Sequence, residues 1–296
     1  MKMVKKILLG TLAVAAILTF ASCGQREEAG NSEMIDVDAG SKKASINYTN
    51  EGDSLARGFK TLQTDHLDAI CHITNNVNII ETPTDSLKTN GVMGYIFNLV
   101  KNEDETYAFT IAGVRYNQKT GTIDAYVETF EDVEADKLES DLPTGTPASG
   151  ETYADAFGFR LADRTTVDAL LAQQKAAGKE NQLDLWIDVV ANDGKSVGRT
   201  GTAGTYTVTF YGADPQRTKK TSNGLEYKNT AAPKLATVVV AKDQVHKPFV
   251  KEGETEGKLD NMQADIGFYA NVQKGQTLTG EWVFDAIRME AEEIEE

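Results

Sequence analysis

From residue 91 to residue 130 the chain switches between apolar runs and short polar breaks. GVMGYIFNLVK (91–101) gives way to NEDE, then TYAFTIAGVRY (106–116), then NQKTG, then TIDAYVETF (122–130). β-Branched and aromatic residues dominate the runs, and the breaks carry Asn, Asp and Gly. The segment therefore predicts three strands in an antiparallel meander. The same texture returns at QLDLWIDVVA (182–191), where Asn192, Asp193 and Gly194 predict a tight hairpin turn. TYTVTFY (205–211), LATVVVA (235–241), DIGFYANV (265–272) and GEWVFDAIRM (280–289) follow, and an early pair, 45–49 and 67–80, is less regular. Runs of like character lie on both sides of every loop. This suits one large antiparallel two-sheet β-sandwich over residues 45–289 better than two small domains.

One stretch breaks the two-residue period. Between Asp163 and Gly178, Val167, Leu170, Leu171 and Gln174 fall on one helical face, Thr165 and Asp168 have the spacing of a capping box, and Gly178 is placed to end the helix. The apolar stripe is narrow, so a short surface helix sealing one edge or end of the sandwich is expected. Residues 137–152 and 212–234 read as exposed loops.

The closing segments IGFYANV (266–272), GQTLTG (275–280) and WVF (282–284) resemble the final strands of concanavalin A-like jelly-roll sandwiches of the laminin G and glucanase type. The likeness is architectural over most of the chain and detailed only in its last strands. It implies two antiparallel sheets with loops along a rim, in a class whose members often bind or cleave glycans.

Strand alternation supplies candidate ligand contacts. In 183–190, Leu183, Leu185, Ile187 and Val189 share one face, and Asp184, Trp186 and Asp188 lie on the other. In 123–130, Asp124, Tyr126 and Glu128 lie opposite Ile123, Ala125 and Val127. An aromatic ring flanked by carboxylates suits a sugar, whose apolar face stacks on the ring while its hydroxyls donate to the acids. These six residues are therefore expected to share one sheet, with the Trp186 and Tyr126 rings on the same side. Asp124 to Glu128 also resembles the strand motif of laminarinase-like glycosidases. It departs from that motif in having Asp first and Tyr126 in place of the central acid. Retaining hydrolysis needs two carboxyls about 5–5.5 Å apart, so the expectation is a binding protein rather than an enzyme.

The beginning of the chain supplies an address. Lys2, Lys5 and Lys6 precede an apolar run from Ile7 to Phe20, and Ala21 and Ser22 stand before Cys23. This is the layout of an export signal over residues 1–22. Cys23 directly after it resembles the lipobox of bacterial lipoproteins, and Phe20 in place of the usual leucine fits the looser box of spirochaete lipoproteins. The resemblance implies diacylglycerol on the Cys23 thiol, with each buried methylene contributing about 0.8 kcal/mol to anchoring. Gly24, where an inner-membrane retention signal would have Asp, points to the outer membrane. Residues 23–44 are polar and read as a flexible lipidated tether with a reach of roughly 25 Å. EAEEIEE (290–296) reads as an acidic tail.

The formal net charge is −15, and the leader contains three of the lysines and no acid. Binding to nucleic-acid phosphates is thus not expected, and the lipid has to supply the membrane attachment. The expected partner is a glycan or a host macromolecule. A structural or antigenic surface coat is the second reading, and a glycoside hydrolase the third. Cys71 is left as the single thiol after Cys23 and reads as a small buried hydrophobe. His66, His72 and His246 have no metal-ligand spacing. The calcium-friendly oxygens of Asn102–Glu105 and Asn192–Gly194 are explained by turns alone. No phosphate loop or nucleophile motif occurs, and no cofactor is expected.

Overall fold

The computed structural model describes residues 33–38, 41–62, 68–77, 91–138, 145–148, 158–221, 223–245, 249–250 and 262–285. Cys23, His66, His246 and both chain ends lie outside them.

The strands are β1 (Ile35–Asp38), β2 (Lys43–Thr49), β3 (Ala56–Thr61), β4 (Ile70–Asn76), β5 (Gly91–Lys101), β6 (Tyr107–Asn117), β7 (Thr122–Val133), β8 (Thr146–Pro147) and β9 (Phe159–Ala162). After the helix α1 (Arg164–Ala176) come β10 (Gln182–Ala191), β11 (Tyr206–Tyr211), β12 (Arg217–Lys219), β13 (Leu225–Tyr227) and β14 (Lys234–Val240). The last strands are β15 (Phe249–Val250), β16 (Met262–Gln263), β17 (Asp265–Val272) and β18 (Thr277–Asp285).

Two large antiparallel sheets form a sandwich. One has the order β1-β2-β18-β4-β10-β11-β14. The other has the order β3-β17-β5-β6-β7-β8, with β9 also on β7. The expected meander is β5-β6-β7, and the mostly β two-sheet class expected from the sequence is the class observed.

Leu183, Leu185, Ile187 and Val189 of β10 lie in the core between the sheets, as alternation requires. They meet Met93, Tyr95 and Phe97 from the inner face of β5. β5 is apolar without alternation because both its faces are covered: Val92, Ile96 and Leu99 belong to a second cluster on the outer side of that sheet, with Phe109 stacked on Phe130 at 4.8 Å. A bulge between Phe97 and Val100, with Asn98 at φ 53°, reverses the side-chain parity so that Leu99 stays outward and Val100 inward. Phe268 of β17 and Trp282 of β18 meet across the sandwich at 5.7 Å. Cys71 is buried in the core and is not part of a disulfide.

Helix α1 forms where expected, but its N-cap is Asp163, whose carboxylate accepts from the Thr166 N–H, and not Thr165. Asp163 has the extended backbone and the short acceptor that the position demands, which places Thr165 inside the first turn. At the other end Lys179 N–H bonds the Gln174 carbonyl and Gly178 N–H bonds that of Lys175, with Gly178 at φ 80°. Val167 and Leu170 are buried in the core, so the helix plugs the sandwich beside β7, β9 and β10.

Three expectations are corrected. Ile35 in β1 is only 1 % exposed and packs in the core, so the sandwich begins within the segment read as tether. Residues 212–234 are no open loop: they hold the β12–β13 hairpin and bury Arg217, Leu225 and Ala232. Finally, Asn192–Gly194 do not make a tight hairpin. They open a long loop to β11, in which Asp193 accepts from the Lys195 and Ser196 N–H groups.

Candidate functional site

β7 and β10 stand in opposite sheets, so the six residues proposed from alternation do not form one surface. Period-two reading correctly separates inner from outer positions within a strand. It carries no information on which sheet the strand joins, and here the two outer faces point away from each other.

On the outer face of β7, Asp124 is 6 % exposed and accepts from Arg115 Nη2 at 3.0 Å and Arg160 Nε at 2.7 Å. Two guanidiniums occupy it. The Tyr126 ring lies over Gly113 of β6, where a Cβ would stand 2.9 Å from it, and its hydroxyl hydrogen-bonds Tyr269 of β17. Glu128 is half-buried. Burial raises its carboxyl above the usual range, and Arg57 opposes that shift without cancelling it. Asp124 and Glu128 are four residues apart on one strand, about 13 Å by strand rise. That is far beyond the separation a retaining carboxyl pair uses.

On the outer face of the other sheet, strand register aligns Val283, His72, Trp186, Tyr211 and Lys234 across β18, β4, β10, β11 and β14. Trp186 is half-buried and stacks on His72 with ring centroids 4.3 Å apart and planes within 5°. Lys234 Nζ stands 6.0 Å over the Tyr211 ring. In the next row, Asp184 lies opposite Thr74. Its carboxylate accepts from Thr74 Oγ1 and Gln182 Nε2, both at 3.0 Å, and from Lys179 Nζ at 3.3 Å. His72 Nε2 is 3.7 Å away. The arrangement is a two-ring shelf with a hydrogen-bonded carboxylate and a hydroxyl at its margin. Its partly exposed indole can contact the apolar face of a flat or pyranose-like ligand.

Burial would raise the Asp184 carboxyl, but the hydrogen bonds from His72, Gln182 and Thr74 outweigh it, and the group lies well below the usual carboxylate range. A carboxyl depressed in the folded state contributes stability above its unfolded value of about 3.9, and that contribution is lost as pH falls. An Asp184→Asn variant is therefore expected to lose less melting temperature than the wild type between about pH 5 and pH 3. Parallel acid limbs in thermal melts of the two proteins would refute this.

Asp188, the second acid of β10, does not reach the shelf. It is 1 % exposed and sits under the β12–β13 hairpin, accepting from Arg217 Nη1 at 2.7 Å and the Tyr227 hydroxyl at 2.6 Å. Arg217 Nη2 also bonds Asp68 Oδ1 at 2.5 Å, and Asp68 pairs with Arg199. This four-charge cluster lies where β4 ends and the ladder of β10 lacks a partner. Asp68 accepts from the Ala191 N–H, Arg199 donates to the Ala191 carbonyl and Arg217 donates to that of Val189. Burial raises the Asp68 carboxyl, but Arg217 and Arg199 together bring it below the usual range. Asp188, which faces Arg217 but not Arg199, is left pushed up by burial.

Of the predicted contacts, Trp186 and Asp184 are thus neighbours at one surface; Asp188 and Asp124 are consumed by internal ion pairs, and Asp184, itself only 5 % exposed, is held by Thr74, Gln182 and Lys179. His72, Thr74 and Lys179 were missed. The alternation in CHIT (71–74) marks His72 and Thr74 as outward, but only the β4–β10 register puts them beside Trp186. Among the described residues, no group of three or more His, Cys, Asp or Glu could hold a metal ion, and no helix is long and apolar enough to cross a membrane. Compared with protein-family models, curated proteins and solved structures, the chain matches none.

Proposed function

We propose that this chain is a lipid-anchored protein of the cell envelope, held in the outer membrane through Cys23, whose β-sandwich is a non-catalytic binding domain of the concanavalin A-like jelly-roll kind. Its ligand is a glycan, free or carried on a host macromolecule. The pattern of residues 1–23 supports the anchor. The observation that carries the binding reading is the Trp186–His72 stack with Asp184 and Thr74 at its edge. A half-buried indole stacked on a second ring has its orientation fixed before ligand arrives, which lowers the ordering cost of binding. The ion pairing of Asp124 with Arg115 and Arg160 weighs against a glycosidase acting at β7.

The test is a glycan array probed with the chain lacking its leader. Binding is expected, and Trp186→Ala should abolish it while leaving the circular dichroism spectrum unchanged. If no glycan binds, or if Trp186→Ala binds as the wild type does, the shelf is not the site and the surface-coat reading takes its place. Release of reducing sugar would instead identify a hydrolase.

A further inference from the structure

Charge is spread unevenly around the aromatic shelf. The whole chain has 45 acids against 30 lysines and arginines, yet residues 212–242 carry Arg217, Lys219, Lys220, Lys228, Lys234 and Lys242 against only Asp214 and Glu226. This stretch holds the β12–β13 hairpin and β14, which flank the shelf on its β11 side. Arg217 is spent on Asp68 and Asp188, and Lys220 faces Glu226 at 3.6 Å. Lys228 and Lys234 are exposed, and among the described residues neither is in an ion pair.

The direction of Lys234 is set by a break in the ladder. Phe210 pairs with Ala236, but Tyr211 pairs with Lys234, so Leu235 is an inserted residue. In a regular ladder Leu235 would stand opposite Tyr211 on the outer face, and Lys234 would fall on the inner one. The bulge exchanges them. Leu235 packs against the core, and Lys234 comes out at the end of the row His72, Trp186, Tyr211 with its ammonium 6.0 Å over the Tyr211 ring. Adjacent strands are about 4.8 Å apart, so a cation stands about one strand beyond the indole. Lys228 is at the same corner: it follows Tyr227, whose hydroxyl reaches Asp188 two positions along β10 from Trp186. Asp214 is the acid of that corner, and its Oδ1 accepts from the Gln216 N–H at 2.7 Å.

We propose that the ligand of the shelf is an acidic saccharide. One sugar ring lies against Trp186, its hydroxyls meet the Asp184–Thr74 margin, and its anionic group, a carboxylate or a sulfate ester, pairs with Lys234. This charge assignment rests on the glycan reading of the shelf. It follows from the separation of charge about the indole: the carboxylate of Asp184 lies along the strand on one side, and the unpaired ammonium lies across the strands on the other. Hydrogen bonds between ionised groups are shorter and stronger than neutral ones, so an acidic ring gains a contact that its neutral counterpart lacks. A chain of net charge −15 repels anions at long range, and preference for an acidic sugar therefore has to come from a local cation such as this one.

The test presents the full chain, in detergent, with an array of sugars in matched pairs, each neutral ring beside its uronate and its sulfate ester. The acidic members should bind about fivefold more tightly than their neutral partners, and the uronate and sulfate arms tell which anion is preferred. Raising salt from about 50 mM to about 500 mM should weaken the acidic members only. Lys234→Gln should abolish the preference and leave neutral binding unchanged. Lys242→Gln, which removes the same charge beyond the other end of β14, should leave the preference intact. Equal, Trp186-dependent binding of neutral and acidic members overturns the charge assignment and keeps the shelf as a glycan site. A preference that survives Lys234→Gln also overturns it, since the anion would then sit elsewhere. Binding of no sugar, or binding that Trp186→Ala does not change, overturns the glycan reading and the charge assignment with it.

Discussion

Replacing Asp68 with alanine is expected to lower the unfolding free energy by about 3–5 kcal/mol, the range found when one partner of a buried ion pair is removed. Asp68 is fully buried and is the one group in its cluster that faces both guanidiniums. Without it Arg199 loses the carboxylate it pairs with, and Arg217 keeps Asp188. The Ala191 N–H loses its acceptor as well. The pH dependence has a definite sign. Because the Asp68 carboxyl is depressed in the folded state, its contribution is complete above about pH 4 and is lost as pH falls. The variant should therefore be weakest relative to wild type near neutrality and approach it in acid. Urea unfolding at about pH 7 and at about pH 2 reads both effects. A loss below about 1 kcal/mol at neutral pH would mean that water replaces the carboxylate.

Trp282→Ala is expected to cost about 3–5 kcal/mol through loss of buried area and the cavity left behind. Trp282 is completely buried on the inner face of β18 and packs against Phe268 from the opposite sheet. Its indole N–H finds no acceptor among the described residues. Trp282→Phe should accordingly cost clearly less than the alanine change, since it loses volume but no hydrogen bond. Equal losses for the two variants would mean that the ring nitrogen matters after all.

Strand existence was legible in the sequence because each strand carries its own period. The core face of β10 follows from LDLWIDVV without knowledge of any neighbour, and α1 follows from its stripe and terminal glycine. What could not be read was pairing. β2 and β4 appear as an early pair, yet β18 lies between them. The acids of β7 and β10 were combined because they looked alike, although their strands lie in different sheets. β3, ARGFKT, was overlooked because it mixes charges with a single large apolar residue, as an edge strand does. The buried cluster was invisible for a related reason: Asp68, Asp188, Arg199 and Arg217 are spread over four segments, and each alone reads as surface.

The placement of β17 and β18 has a consequence for how the chain acquires its structure. β17 inserts between β3 and β5, and β18 between β2 and β4. Each sheet is thus completed by a strand that follows all its other strands in sequence, wedged between strands that come much earlier. A nascent chain that has not yet reached Asp265 has a gap in the middle of both layers and no Phe268 or Trp282 to join them. Contacts of such long sequence separation also place folding on the slow side, in milliseconds to seconds. The topology therefore delays closure of both sheets until β17 and β18 are available to enter them.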